Sequence, residues 1–353
     1  MTAAYINRIA TAVPPHKVHG AFVEFAAQML KDERMRTLFQ RMSAKSGIDH
    51  RYSGLSVVQP PPQGVVDAYE FYLADGYPST AKRMKMFEQF APVLLRSALD
   101  KLALTAGEKA GIRHVVVTCC TGLYAPGLDF EAIDYLGLPS SVERTMIGFM
   151  GCYAAISGLK QARHIVRSEP GDSVLMINLE LCTLHFQETQ NLNEVLSFLV
   201  FGDGCSVSLI SGREEGLALD SFHALQVEGT RDLITWNVRD LGFDMLLSGR
   251  VPGEIGKALR EHGSTLTSGD AIDLWAVHPG GRSVLDAVED GLDLPSCALA
   301  SSRSILKQFG NMSSATVMFV LEDLMKSARP GQKGCAMSFG PGLTAETMRF
   351  HAV

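Results

Sequence analysis

Three side chains far apart in the chain have the types that thiol-based acyl chemistry needs: Cys152, His278 and Asn311. Cys152 stands in Gly151-Cys152-Tyr153-Ala154-Ala155, and apolar residues follow at Leu159, Ala162, Ile165 and Val166, the spacing of one helical face. The thiol is therefore expected in the first turn of a buried or half-buried helix. Unpaired backbone N–H groups and the helix dipole favour negative charge there and lower a thiol pKa. Taken alone, a free cysteine is most often a small buried hydrophobe. His278 closes an apolar run and precedes Pro279-Gly280-Gly281, where a ring can project into a cleft, although a lone histidine is more often a core or turn residue. Asn311 follows Gly310 and, by itself, reads as the N-cap of a helix starting near Ser313. Together the three supply a nucleophile, an imidazole and an amide, each at the end of an element, which is the generalised triad logic.

The elements that must position them alternate. Residues 5–13 read as a strand ending at Pro14-Pro15, and 21–42 as one amphipathic helix. Pro60-Pro61-Pro62 marks a loop, and 87–104 a second helix. Residues 114–118 form a β-branched strand, followed by Cys119 and Cys120, which read as buried small residues. After the Cys152 helix come strands at 172–178 and 205–210, with Phe201-Gly202-Asp203-Gly204 as a turn before the latter. The second half replays this order: a strand at 273–277, a helix opened by Gly310-Asn311, and strands at 334–339 and 347–350. A duplication is expected, with halves 1–212 and 213–353. Cys152 and Asn311 would then hold equivalent places and two helix N-termini would face one cavity. Alternating strands and helices give a layered α/β fold.

Composition limits the rest. The 353 residues carry 46% hydrophobic and 20% charged side chains and a formal net charge of -6. That is enough for a large core and argues against nucleic acid as a partner. No apolar run is long enough to span a bilayer, and the N-terminus lacks the regions of a signal peptide. The seven cysteines are scattered with no CxxC pair, so neither a metal site nor a disulfide framework is expected, and a reduced, cytoplasmic compartment is.

The motifs Gly151-Cys152, Phe201-Gly202-Asp203-Gly204, His278-Pro279-Gly280-Gly281, Gly310-Asn311-Met312-Ser313-Ser314-Ala315 and Phe339-Gly340-Pro341-Gly342 resemble those of the type III polyketide synthases, relatives of chalcone synthase. The order matches from about residue 5 to the C-terminus. The resemblance implies the thiolase fold, duplicated halves in five αβαβα layers, and a homodimer. It implies Cys152, His278 and Asn311 as catalytic triad, with no metal or organic cofactor because coenzyme A carries the acyl groups. A Cys152 thiolate paired with an imidazolium at His278 would attack a starter acyl-CoA. His278 and Asn311 would then stabilise the enolate left by decarboxylation of malonyl-CoA, and the enolate would attack the Cys152 thioester.

Carried over singly, Phe201 matches a gatekeeper aromatic, Met245 a second gatekeeper that is normally Phe, and Arg41 and Lys45 the residues that bind coenzyme A phosphates. A third basic position of that pattern is Leu38 here. Thr121, His185, Ser313, Phe339, Gly340 and Pro341 match positions around the cavity. Ala125 stands where plant members carry Met, and its small size would leave room for a long acyl chain. Ser338 replaces the first Gly of the usual Gly-Phe-Gly-Pro-Gly loop. The expected activity is iterative condensation of malonyl-CoA onto a medium or long aliphatic starter, giving alkylpyrones or alkylresorcinols. Two alternatives stay open: a single condensation on carrier-bound malonate, as in β-ketoacyl-acyl-carrier-protein synthase III, and a non-catalytic acyl-binding protein on the same scaffold.

Overall fold

A computed structural model describes residues 3–58, 66–73, 76–267, 269 and 271–353, and the loop at Pro60–Pro62 lies outside them. Strand β1 (Tyr5–Ala12) is followed by β2 (His16–Lys17) and helices α1 (His19–Met29) and α2 (Glu33–Ala44). The single helix expected over 21–42 is thus two. Leu30 leaves the helical region, Asp32 accepts a hydrogen bond from the Met35 amide as a new N-cap, and the Arg36 guanidinium donates to the Leu30 carbonyl across the bend. β3 (Tyr52–Ser53) pairs with β2. Helix α3 (Thr80–Leu102) starts earlier than expected because the Ser79 hydroxyl caps it. A reciprocal Thr105–Glu108 capping box opens α4 (Ala106–Gly111).

There follow β4 (Ile112–Cys119), α5 (Leu128–Leu136), β5 (Glu143–Gly148), α6 (Ala154–Ser168), β6 (Ser173–Leu181), α7 (Leu192–Leu199) and β7 (Asp203–Ser211). The second half holds β8 (Leu217–Gln226), the hairpin β9 (Ile234–Arg239) and β10 (Gly242–Leu247), α8 (Val251–Leu266), β11 (Leu274–Val277), α9 (Arg282–Leu292), α10 (Ala300–Phe309), α11 (Thr316–Met325), β12 (Lys333–Gly340) and β13 (Thr344–Ala352).

The strand order β11-β12-β13-β8-β1-β7-β6-β4-β5 makes the repeat visible. Outward from the centre, β1 pairs antiparallel with β7, β7 antiparallel with β6, and β6 parallel with β4. In the other direction β8 pairs antiparallel with β13, β13 antiparallel with β12, and β12 parallel with β11. The two sets meet at Tyr5↔Ala218 and Ile6↔Leu217, where the Leu219 amide also donates to the Ala4 carbonyl.

Side-chain alternation along the strands builds the layers. Val115, Val117 and Cys119 of β4 pack under α3 and α5, whereas Val116 points to the other side, onto α6 and α11. Trp275 and Val277 of β11 face α8 and α9, whereas Leu274 and Ala276 join the same central helices. The result is five layers, αβαβα, with α6 and α11 in the middle. Position explains composition: α11 is apolar nearly all round (Val317, Met318, Phe319, Val320 and Leu321 are buried) because it has sheet on both sides. Each fully buried large aliphatic contributes on the order of 1.5–3 kcal/mol, so these two helices are rigid supports for whatever sits at their N-termini.

Candidate active site

Each central helix begins with a 3₁₀ turn, Gly151–Tyr153 before α6 and Ser313–Ala315 before α11, as the expected repeat requires. Gly151 has φ +71°, and a Cβ there would lie 2.3 Å from Cδ of Pro341. No other residue fits, so the Pro341 loop from the second half is pressed against the turn that presents Cys152. The thiol is buried, with its Sγ 3.8 Å from the Ser313 hydroxyl, and the Asn311 amide donates toward it.

The sequence leads one to expect a lowered thiol pKa, and the structure corrects this. Burial pushes the Cys152 thiol up to about 12, the Glu180 carboxyl adds to the rise, and the Ser313 and Asn311 side chains only partly offset it. A dry pocket costs the thiolate more than the turn's N–H groups return.

Asn311 is fixed by backbone pairing. Its amide donates to the Val200 carbonyl and its carbonyl accepts from the Gly202 amide, both at 2.8 Å, forming a parallel bridge with Phe201. Residues 201–204 are therefore not the expected turn: Phe201 lies in this bridge and Asp203 already belongs to β7. The Asn311 Oδ1 accepts from the Ser313 amide at 2.8 Å. That pins the oxygen and leaves Nδ2 for the thiol side and for the Gly280 carbonyl at 3.4 Å.

The His278 amide continues the β11–β12 ladder by donating to the Met337 carbonyl at 2.8 Å. Its ring is buried, and among the described residues neither nitrogen has a hydrogen-bond partner. Burial holds its pKa down to about 3, so the imidazole is neutral. The pair expected as thiolate and imidazolium is thus neutral in the substrate-free protein.

A cavity of about 40 Å³ opens beside Cys152, lined by Thr121, Phe201, Met245, Ser313 and Pro341 among others. Neither His278 nor Asn311 is among its lining residues; Asn311 is tied to the thiol through its side chain and to the Gly280 carbonyl, two residues after His278, through Nδ2. Gly340 is wedged against Tyr153 and the Cys152 amide, and Phe339 is buried in the core of the second half, so these two support the wall without lining it. His185 is likewise displaced from its expected lining role. Its ring stacks on Phe243 at 4.3 Å, and its Nε2 donates to the Thr121 carbonyl at 2.6 Å, which braces the wall from behind. Ala125 lies exposed on the loop after β4 and is not among the residues that line the Cys152 cavity.

Arg41 and Lys45 are exposed near the end of α2. Lys45, Arg282 and Gly280 line a groove of about 710 Å³ that also reaches Val200, the neighbour of Phe201. Arg41 is not among its lining residues. The groove connects an exposed basic side chain with the loops carrying His278 and Phe201.

Sequence reasoning missed Glu180, Cys120, Cys182 and Trp236. Cys120, Cys182 and Trp236 line the Cys152 cavity. Glu180 is fully buried behind it and accepts from the Ser314 hydroxyl (2.5 Å), the Thr121 hydroxyl (2.8 Å) and the Cys120 amide (3.0 Å). Burial raises its pKa to about 7. The signal was a lone acid in the apolar run Leu179-Glu180-Leu181. Among the described residues no cluster of side chains could hold a metal ion, and no helix is long and apolar enough to cross a membrane.

Paired central helices between the two halves of the nine-stranded sheet, with a thiol at one N-terminus and an amide at the other, define a thiolase-fold condensing enzyme. Similar solved structures include PKS-I from the brown alga Ectocarpus siliculosus (TM-score 0.87, 30% identity, 100% of this chain and 99% of that one). Another is 1,3,6,8-tetrahydroxynaphthalene synthase from Streptomyces coelicolor A3(2) (TM-score 0.85, 25% identity, 100% and 99%). The chain belongs to the chalcone and stilbene synthases, the type III polyketide synthases: the family's N-terminal domain matches residues 2–214 and its C-terminal domain residues 221–353. An "alpha-pyrone synthesis polyketide synthase-like" protein, Pks18 of Mycobacterium tuberculosis, is 31% identical over 100% of this chain and 92% of its own length. Enzymes of this class are acyltransferases that use coenzyme A thioesters.

Proposed function

We propose that Cys152, His278 and Asn311 carry out iterative decarboxylative condensation of malonyl-CoA onto an aliphatic acyl-CoA starter of medium or long chain, giving alkylpyrone or alkylresorcinol products. The observation that supports this reading is that Asn311 reaches both the buried Cys152 thiol and the carbonyl of Gly280, two residues after His278. The three side chains are a buried thiol, a carboxamide whose oxygen is pinned so that its nitrogen is available, and an imidazole with both nitrogens unpartnered among the described residues. The similarity to the alpha-pyrone synthesis polyketide synthase-like protein of Mycobacterium tuberculosis supports a pyrone product.

In this mechanism the Cys152 proton passes to His278 as Sγ attacks the starter thioester carbonyl. Coenzyme A leaves with that proton, and the acyl group stays on sulfur. Malonyl-CoA then loses carbon dioxide, and the electron pair of the broken C–C bond becomes an enolate. The His278 N–H and Asn311 Nδ2 donate to the enolate oxygen. Neutral donors suit this step, because a nearby carboxylate would repel the developing charge. The enolate carbon attacks the Cys152 thioester, forming a C–C bond and releasing the thiolate, and the β-ketoacyl-CoA formed can reload Cys152 for another cycle.

Coenzyme A would lie in the groove that ends at Gly280 and Val200, with Lys45 at its outer end for the phosphates and Arg41 one helical turn before it on α2, outside the groove's lining. Phe201 and Met245 would gate the passage inward. The units 1–212 and 213–353 act as two halves of one site, since the nucleophile comes from the first and the two donors from the second. A homodimer is part of this reading, supported by the exposed edge strand β5 with Met146 on its face. A cytoplasmic location suits seven unpaired cysteines.

The test is product analysis by mass spectrometry with malonyl-CoA and a panel of acyl-CoA starters. Pyrones or resorcinols carrying the starter's alkyl chain are expected. Products of a single condensation that form only with carrier-bound malonate would contradict the reading.

A further inference from the structure

Helix α2 rests on the protein by a narrow strip. Of its 12 residues only Phe39 and Ser43 are buried. Phe39 packs with Leu30, Val195 and Leu199 beneath the helix. On the outer side Met35, Leu38 and Met42, at i, i+3 and i+7, are 41%, 46% and 43% exposed and line up as one apolar stripe.

A row of cations runs beside that stripe. Arg34, Arg41 and Lys45 share the neighbouring row, which Leu38 interrupts, and Lys31 stands just before the helix. All four are exposed, and among the described residues none of their side chains is in an ion pair. The acids of the segment are Asp32, which caps the helix through the Met35 amide, and Glu33, which falls on the opposite face. In a chain whose net charge is -6, this helix is a basic island.

An exposed apolar stripe edged by unpaired cations has a specific complement. At the boundary between anionic headgroups and acyl chains, each cation is attracted to the surface and each apolar side chain leaves water. A protein partner fits less well. A stable protein interface takes about 20–30 residues a side, whereas this face offers three apolar side chains on a single helix. The stripe also has a direction: Met42 and Lys45, at its C-terminal end, form a lip of the groove of about 710 Å³ that reaches Gly280 and Val200.

We infer that α2 is a peripheral membrane contact, in which Met35, Leu38 and Met42 enter the headgroup boundary of a bilayer containing anionic phospholipid while Lys31, Arg34, Arg41 and Lys45 hold the lipid phosphates. The helix lies along the surface; its 12 residues are too few to cross it. The mouth of the groove then opens at the bilayer, the phase in which amphiphilic CoA thioesters collect. The inference stands apart from the proposed function, because vesicle binding is read without turnover.

The experiment is sedimentation of the full chain with vesicles of phosphatidylcholine alone, or with about a third phosphatidylglycerol. The protein should sediment with the anionic vesicles and stay in solution with the neutral ones. The bound fraction should fall as salt rises, since exposed charges are screened over about 8 Å at physiological ionic strength. Two variants separate the stripe from the cations. Met35→Asp combined with Leu38→Asp should weaken binding about ten-fold or more with all four cations kept. Arg34→Glu should weaken it most at low salt. These positions are exposed, so the denaturation midpoint should not move in either variant. In Met35→Trp, the emission of the added indole should shift to shorter wavelength when anionic vesicles are present. Failure of the parent to sediment, or sedimentation unchanged by the paired Asp substitutions, overturns the inference. A parent that ignores vesicles but binds an acidic protein through these residues overturns it in favour of a protein partner.

Discussion

Asn311 and Phe201 are locked together as a parallel β-bridge, so the carboxamide expected to bind an enolate and the aromatic expected to gate the pocket move as one unit. The bridge depends on Gly310, whose φ is +72° and whose Cβ position is filled by the Val200 carbonyl and the Arg51 side chain at 2.7 Å.

Gly310→Ala should therefore cost both stability and activity. The strained backbone is worth about 1–3 kcal/mol, read as a shift in the denaturation midpoint. A displacement of Asn311 by a fraction of an ångström should lower kcat on the order of a hundred-fold. Wild-type turnover in this variant would separate the bridge from catalysis.

Ser313→Ala removes the hydroxyl 3.8 Å from the Cys152 sulfur, one of the two side chains that favour the thiolate. The thiol pKa should rise by about one unit, the size of a hydrogen bond to a charged group. The pH dependence of alkylation by iodoacetamide measures this. An unshifted profile would mean that the contact does not bear on the thiolate.

Glu180 gives a pH signature of defined sign. Its carboxyl is raised from 4.5 to about 7 in the folded protein, so the folded state binds the proton more tightly than the unfolded chain. The stabilisation from that proton is complete below about pH 4.5 and is lost as pH rises through about 7. Glu180→Gln should therefore gain stability relative to the parent as pH rises across this window, with a plateau above it, in urea titrations at several pH values. The same substitution removes a negative charge that raises the Cys152 thiol, so alkylation should need less alkaline pH. A stability difference that is flat with pH would place the Glu180 carboxyl at its ordinary value.

The sheet ends at β5, whose residues 143–146 are exposed, and Met146 and Phe130 add apolar surface beside it. A bare edge with apolar neighbours is a surface that a second chain would cover. On the proposed homodimer, light scattering coupled to size exclusion should give a dimer for the parent and a monomer for Met146→Lys. A variant that remains dimeric would move the interface elsewhere.

Much of this fold was legible because its strands are apolar runs with sharp ends, as at His114–Thr118, and because Gly151-Cys152 and Gly310-Asn311 punctuate two similar helices. Where local pattern misled, a tertiary or capping contact decided. Asp32 split one periodic stretch into two helices. Phe201-Gly202-Asp203-Gly204 looks like a turn, but pairing with Asn311 draws it into the sheet. The thiol's pKa was misjudged because a sequence shows the helix start but not the depth of burial that outweighs it. His185 and Ala125 were placed by position along the chain, whereas ring stacking and loop exposure decide what they touch. The hairpin that brings Trp236 and Met245 to the pocket has mixed polarity and no turn signal beyond Gly242, so it went unread apart from Met245 itself.

The central claim is that one buried thiol carries the acyl chain. Intact-protein mass spectrometry after mixing with an acyl-CoA measures it directly. The parent protein should gain the mass of one acyl group, mapped to Cys152, and Cys152→Ala should gain none and form no polyketide from malonyl-CoA. An acyl group on Cys120 or Cys182, or polyketide formation by Cys152→Ala, would contradict the account.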